Sequence, residues 1–202
     1  MSGDILINEQ RRYFLIGAAS VVGALGIAGA AVPFVESWSP SAKARSFAAP
    51  VTVDFSRLKP GEMLGPIPAW RGQPIFIVYR TQAMLDELQK LRPSRADPDS
   101  ERDQQPPYAQ NEWRSRRAQI GIYLGVCTHL SCSPKYYPVV QPEWFDADWQ
   151  GGFFCPCHGS TYDLAGRVAK GVPAPSNLVV PPYSFPSDKV VTIGVDADHP
   201  SA

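Results

Sequence analysis

The chain has 202 residues, enough for one globular domain of ordinary size with accessory segments. Its 19 basic and 19 acidic residues balance, leaving no electrostatic footprint for nucleic acid or another polyanion. With 21 prolines, 16 glycines and 11% aromatics it reads as a loop-rich, mainly β protein, and four cysteines are too few for a disulfide scaffold.

In chain order, residues 1–13 read as a cytoplasmic N-terminus, and Gln10-Arg11-Arg12-Tyr13-Phe14-Leu15 spans its junction with the stretch that follows. This run resembles a twin-arginine export signal, the kind that carries proteins already folded around a cofactor. Residues 14–35 contain no charged side chain and are rich in Gly, Ala, Val, Leu and Ile. At about 1.5 Å per residue they make a helix of roughly 33 Å, enough to cross a hydrocarbon core of about 30 Å once. Ala42-Lys43-Ala44 has the A-x-A form of a cleavage site, but the long apolar stretch points to a retained anchor. Residues 36–49 are small and polar without an apolar period and read as a flexible hinge linker.

Residues 50–202 form the expected soluble domain. Short β segments fall at 51–55, 63–70 and 74–80, and Pro66 with Pro68 demotes the second to an edge or irregular strand. A helix starts after Thr81, a good cap, with Met84, Leu85, Leu88 and Leu91 on one face and Pro93 just beyond its end. The charged, proline-bearing residues 92–117 read as a surface excursion. From Gln119 to Gly125 the chain alternates, with Ile120, Ile122 and Leu124 toward one face, and this strand runs into Cys127-Thr128-His129-Leu130-Ser131-Cys132. An aromatic-rich stretch over 133–154 separates that box from a second, Cys155-Pro156-Cys157-His158-Gly159-Ser160. Thr161-Tyr162-Asp163 and Arg167-Val168 suggest a hairpin around Gly166, a proline-bearing loop follows at Gly171 to Leu178, and the last strands lie at 178–185 and 189–195.

The two boxes hold all four cysteines and two of the three histidines. Six such ligands in two loops exceed what one tetrahedral zinc needs and match a mixed thiolate-imidazole iron-sulfur centre with a cysteine pair left over. The spacing leaves open whether Cys155 or Cys157 is the ligand in the second box. The boxes resemble those of Rieske iron-sulfur proteins, and Tyr162, the Gln-Pro-x-Tyr and Asn111-x-x-Arg114-Ser115 elements and the loop 171–178 resemble the quinol-oxidising members of that family.

The resemblance implies a Rieske-type antiparallel β-sandwich with a cluster-binding subdomain at about 126–181, behind a single N-terminal transmembrane helix. It implies one 2Fe-2S cluster, with Cys127 and Cys155 on one iron, His129 and His158 on the other, and a disulfide between Cys132 and Cys157. Ser160 and Tyr162 fall where the family places hydroxyl donors to the cluster sulfurs, and Ser131 stands where the family usually has Gly. The implied role is the Rieske subunit of a bacterial cytochrome bc complex, anchored in the inner membrane with its soluble domain in the periplasm. Its implied partners are quinol, cytochrome b and a c-type cytochrome, in a dimeric complex. Two competitors are a Rieske subunit of another periplasmic oxidase, such as arsenite oxidase, and a membrane-tethered structural zinc module.

Overall fold

The structure is a computed structural model that describes residues 8–196. It divides into one compact unit up to Ser46 and another from Phe47 onward.

The first unit holds helix α1, Glu9–Ser37. Asn8 caps it by accepting the Arg11 amide at 3.2 Å, which satisfies one of the donors that a helix start leaves without an internal partner. Every side chain along α1 is exposed and the helix is apolar on all faces, as a helix that meets lipid rather than a protein core should be. At about 1.5 Å per residue it is roughly 44 Å long, and it has the length and composition to cross a membrane. It exceeds the expected 14–35 span at both ends. The stretch expected to be a flexible linker holds the end of α1, a turn at Trp38-Ser39 and a short helix α2, Ala42–Ala48, whose start is capped by the Ser41 hydroxyl on the Ala44 amide at 3.1 Å. Its alanines sustain helix without any apolar period, which is why the pattern did not reveal it.

The second unit is built, over the described residues, from three antiparallel three-stranded sheets. One has the order β1 (Val51–Asp54), β9 (Val190–Ile193), β8 (Tyr183–Ser187); another β2 (Met63–Trp70), β3 (Gln73–Tyr79), β4 (Ile120–Leu124). The third, β5 (Lys135–Tyr137), β6 (Gly152–Phe154), β7 (Thr161–Tyr162), is formed by the stretches that flank the boxes. Buried side chains from all three sheets form one hydrophobic cluster, with Phe153 of β6 stacked on Phe76 of β3 at 5.7 Å. β2, with its two prolines, pairs only with β3 and slips register twice, as an edge strand should. The expected one-sided alternation of β4 is corrected: all five of its residues are buried, with Tyr123 edge-on to Phe153 at 6.0 Å, so both faces are covered.

Helix α3, Gln82–Leu91, starts where Thr81 accepts the Met84 amide at 3.3 Å. It buries Leu85 and Leu88 against Leu164 and Ala165. Residues 92–117 are only partly the surface excursion that their charge suggested, because Asp97, Ser100, Gln105, Ala109, Arg114 and Ser115 are buried. Arg114 joins Arg80 and Arg167, all three fully buried, around the turn that follows β7. Arg80 donates to the Trp113 carbonyl at 2.8 Å and Arg114 to the Ala165 carbonyl at 3.2 Å. Arg167 pairs with Asp163 at 2.7 Å and donates to the Leu88 carbonyl at 2.6 Å. Guanidinium groups suit this setting because their planar donor fork can satisfy several carbonyls at once. The network fixes the turn immediately after Tyr162.

Candidate metal centre

The two boxes fold alike. In the first, the Cys127 amide bonds to the Cys132 carbonyl at 2.7 Å and the Ser131 amide to the Cys127 carbonyl at 3.0 Å. In the second, the Cys155 amide bonds to the Ser160 carbonyl at 2.8 Å and the Gly159 amide to the Cys155 carbonyl at 3.0 Å. The fifth residue of each turn is left-handed, Ser131 at φ 64° and Gly159 at φ 76°. Glycine adopts that conformation without penalty, so Ser131 keeps the turn at a steric cost. β4 delivers the first turn and β6 the second.

This repetition places Cys127 and Cys155 at equivalent, buried positions, both free thiols. Burial pushes the Cys155 thiol up, and the Cys127 thiol beside it adds to that. Cys132 and Cys157 are joined by a disulfide that ties the two turns together. Cys155 Sγ lies within 4.8 Å of both disulfide sulfurs, which as a closed bridge offer no thiolate to a metal. Of the two cysteines in the second box, Cys155 is therefore the one that keeps a free thiol.

His129 and His158 meet edge to face with ring centroids 4.8 Å apart. His158 is exposed and His129 half-buried, yet Nδ1 of His129 is buried without a hydrogen-bond partner. An orphaned buried nitrogen is costly unless something binds it. The described residues thus bring together two thiols and two imidazoles, a donor set that suits either a single tetrahedral zinc or a mixed-ligand 2Fe-2S centre.

Comparison with known proteins decides between them. Residues 111–184 match the family described as the Rieske 2Fe-2S domain, and residues 1–41 match the ubiquitinol-cytochrome C reductase Fe-S subunit TAT signal. The chain is 48% identical over 190 residues to the ubiquinol-cytochrome c reductase iron-sulfur subunit of Allochromatium vinosum, covering 94% of this chain and 91% of that one. It is 43% identical over 187 residues to the subunit of the same name from Rhodospirillum rubrum, covering 93% of each. The chain belongs to the family of ubiquinol-cytochrome c reductase iron-sulfur subunits. A chain of a hyperthermophilic respiratory Complex III is also similar, at 24% identity and a TM-score of 0.45 over 89% of this chain and 98% of that one.

The Rieske family binds one 2Fe-2S cluster, and the four donors and the unpartnered His129 nitrogen fit it. Around them the Rieske protein arranges three hydroxyls. Tyr162 is fully buried, with its phenol oxygen 3.2 Å from Cys127 Sγ. The same oxygen accepts the Thr128 amide at 3.2 Å and lies 3.2 Å from Thr128 Oγ1. Thr128 Oγ1 donates its only proton to the Ser176 carbonyl at 2.6 Å, so toward Tyr162 it can only accept. The phenol proton therefore divides between Cys127 and Thr128. Burial, followed by the bond to Cys127, pushes the Tyr162 phenol up, which keeps that proton in place.

Ser160, also fully buried, accepts the Ala174 amide at 3.0 Å and keeps its own proton for another acceptor. Through Ala174 and Ser176 the proline-bearing loop is bonded to both boxes, and Asn177 anchors it by accepting the Val168 amide at 2.9 Å. Thr128 escaped the reading of the sequence, as did the buried arginines. Its position between two candidate ligands was the available signal.

Proposed function

We propose that this Rieske protein is the membrane-anchored, electron-transferring subunit of a bacterial cytochrome bc complex. It accepts an electron and a proton from quinol beside cytochrome b and passes the electron to a c-type cytochrome. The match of residues 1–41 to an export signal supports an anchor in the inner membrane with the soluble domain in the periplasm, and the names of its relatives support membership of a larger complex, which we take to be dimeric.

The observation that carries the proposal is the asymmetric burial of the donor set: both thiols lie inside, while the two imidazoles meet at an edge that ends in the exposed His158. Cys127 and Cys155 would hold one iron, and His129 and His158 the other. When bound, the cluster supplies one-electron chemistry at about −150 to +300 mV, against about −400 mV for plant-type ferredoxins. Neutral imidazoles keep negative charge off the site, and each retains a second ring nitrogen that can hold a proton. With Nδ1 of His129 turned inward, its Nε2 is the nitrogen left for that proton. Tyr162 directs its hydroxyl at Cys127, and the spare proton of Ser160 is available to the cluster sulfur, so both favour the form with more negative sulfur.

The test is isolation of the intact complex from membranes. Copurification of this chain with b and c haems, and loss of quinol-cytochrome c reduction in His158→Ala with the chain still membrane-bound, is expected. Copurification with an oxidase that lacks b haem would assign the chain to the competing class.

A further inference from the structure

The stretch between the two boxes supplies none of the four candidate donors, yet its chain is ordered around an exposed aromatic tip. Glu143 and Asp146 exchange backbone hydrogen bonds, the Glu143 amide to the Asp146 carbonyl at 2.9 Å and the reverse at 3.1 Å, closing a tight turn that carries Trp144 and Phe145. Phe145 stacks on Phe154 of β6 at 3.9 Å and meets Trp149 at 5.0 Å. Trp149 is buried and donates to the Tyr137 carbonyl at 3.0 Å. Trp144 is held edge-on by Phe145 and Phe154 but remains 78% exposed. The same stretch exposes Val139 and Val140, which form one wall of a groove of about 660 Å³; Ala83 and Met84 of α3 form the other.

A large aromatic held rigid and left in solvent has the character of an interface anchor, because its rotamer entropy is already spent before a partner arrives. Charge narrows the partner. Glu62, Asp86 and Glu87 line the groove, and Glu143, Asp146 and Asp148 flank the aromatic tip in the chain. Two cations line the groove and the small cavity beside the tip, and a third, the exposed Lys135 of β5, lies opposite Phe154, so the carboxylates stay in excess. Lys90 is taken by Glu87 at 2.6 Å, and Arg95, in a small cavity with Asp146 and Asp148, donates to Ser94 and the Leu91 carbonyl. An anionic lipid surface would be repelled. A ligand that touches both Trp144, which is outside the groove, and the groove wall must be larger than a small molecule.

We propose that the stretch 138–150, with the groove it forms against α3, is a docking surface for a positively charged segment of another polypeptide that buries apolar side chains beside Trp144. The proposal rests on the functional reading only in that the chain works inside a larger assembly.

Photo-crosslinking in intact membranes tests it, using the full chain with Val139→p-benzoylphenylalanine. The expected product joins this chain to a peptide of a different subunit that carries Lys or Arg close to the attachment point. Its yield should fall about tenfold in Trp144→Ala, and by a similar factor when Glu143, Asp146 and Asp148 become Gln, Asn and Asn. The amount of chain and its cluster signal should be unchanged. If the triple variant does not accumulate, Asp148→Asn alone, expected to lower the yield about twofold to threefold, takes its place. Cross-links only to lipid, to a second copy of this chain or to a segment without basic residues would overturn the proposal, as would no cross-link or yields that ignore both substitutions. A cross-link with these properties would stand even if the haem copurification failed, and its absence would leave that assay untouched.

Discussion

Replacing Tyr162 by Phe removes one oxygen and keeps the ring, which is fully buried. Three contacts of 3.2 Å are lost at that oxygen: the one to Cys127 Sγ, the bond from the Thr128 amide and the one to Thr128 Oγ1. The first bears on redox chemistry. A hydrogen bond to a charged acceptor contributes about 1.5 to 3 kcal/mol, but only the part that differs between oxidation states moves the midpoint. A difference of about 1 to 2 kcal/mol corresponds, at about 59 mV per 1.4 kcal/mol for one electron, to a fall of about 40 to 90 mV. The second contact sets the structural cost, since the Thr128 amide loses its acceptor and stability should drop by about 1 to 3 kcal/mol. Thr128→Val provides a control of opposite sense. Without Thr128 Oγ1 the phenol proton is no longer divided and turns fully to Cys127, so the midpoint should hold or rise. Redox titration of the cluster signal, with iron and labile sulfide measured on the same samples, reads both variants. A Tyr162→Phe midpoint equal to the parent at full cluster content would refute the role given to this hydroxyl, as would an equal fall in both variants.

Cys132→Ser should assemble a cluster and then lose it faster on heating. The bridge closes a sequence separation of 25 residues, and the chain-entropy relation gives about 3.5 kcal/mol for such a loop; a variant without any cluster from the outset would contradict this. Ser131→Gly should leave the midpoint unchanged and raise the melting temperature slightly, since it relieves about 1 kcal/mol of left-handed strain at φ 64° less the entropy that glycine adds to the unfolded chain. Denaturant titrations should show stability falling as pH rises above about 10. Burial pushes the Tyr123, Tyr162 and Tyr183 phenols up, so in that window the unfolded chain has released protons that the folded chain still holds. Arg114, brought down to about 10 by burial, and Arg95, lowered by the same cause, act in the opposite sense, but Tyr108 and Tyr136 are pushed up as well, which makes five phenols against two guanidinium groups. A flat or rising profile would mean that these phenols ionise in place.

What could be read from the residues was whatever local chemistry decides. Thr81 with Pro93 bounded α3, the prolines of β2 marked an edge strand, and Gly166 marked the turn after β7, where its amide bonds to the Asp163 carbonyl at 2.9 Å. What could not be read was set by distant packing. Arg80, Arg114 and Arg167 look like surface residues in sequence and are buried because carbonyls from other segments converge on them. β4 alternates in sequence but is covered on both faces by elements far along the chain. The site divided in the same way. The boxes announced the candidate donors by residue type but not which cysteine of the second box stays free, whereas Thr128 became visible only once Tyr162 and Ser176, 34 and 48 residues away, were placed beside it.

Pulsed EPR on the reduced complex grown with nitrogen-15 histidine tests most directly whether Cys127, Cys155, His129 and His158 hold a mixed-ligand cluster. Two histidines coupled to the cluster spin are expected, with the whole signal lost in His129→Ala and in His158→Ala. Coupling to a single histidine or to none, or survival of the signal in either variant, would contradict the assignment.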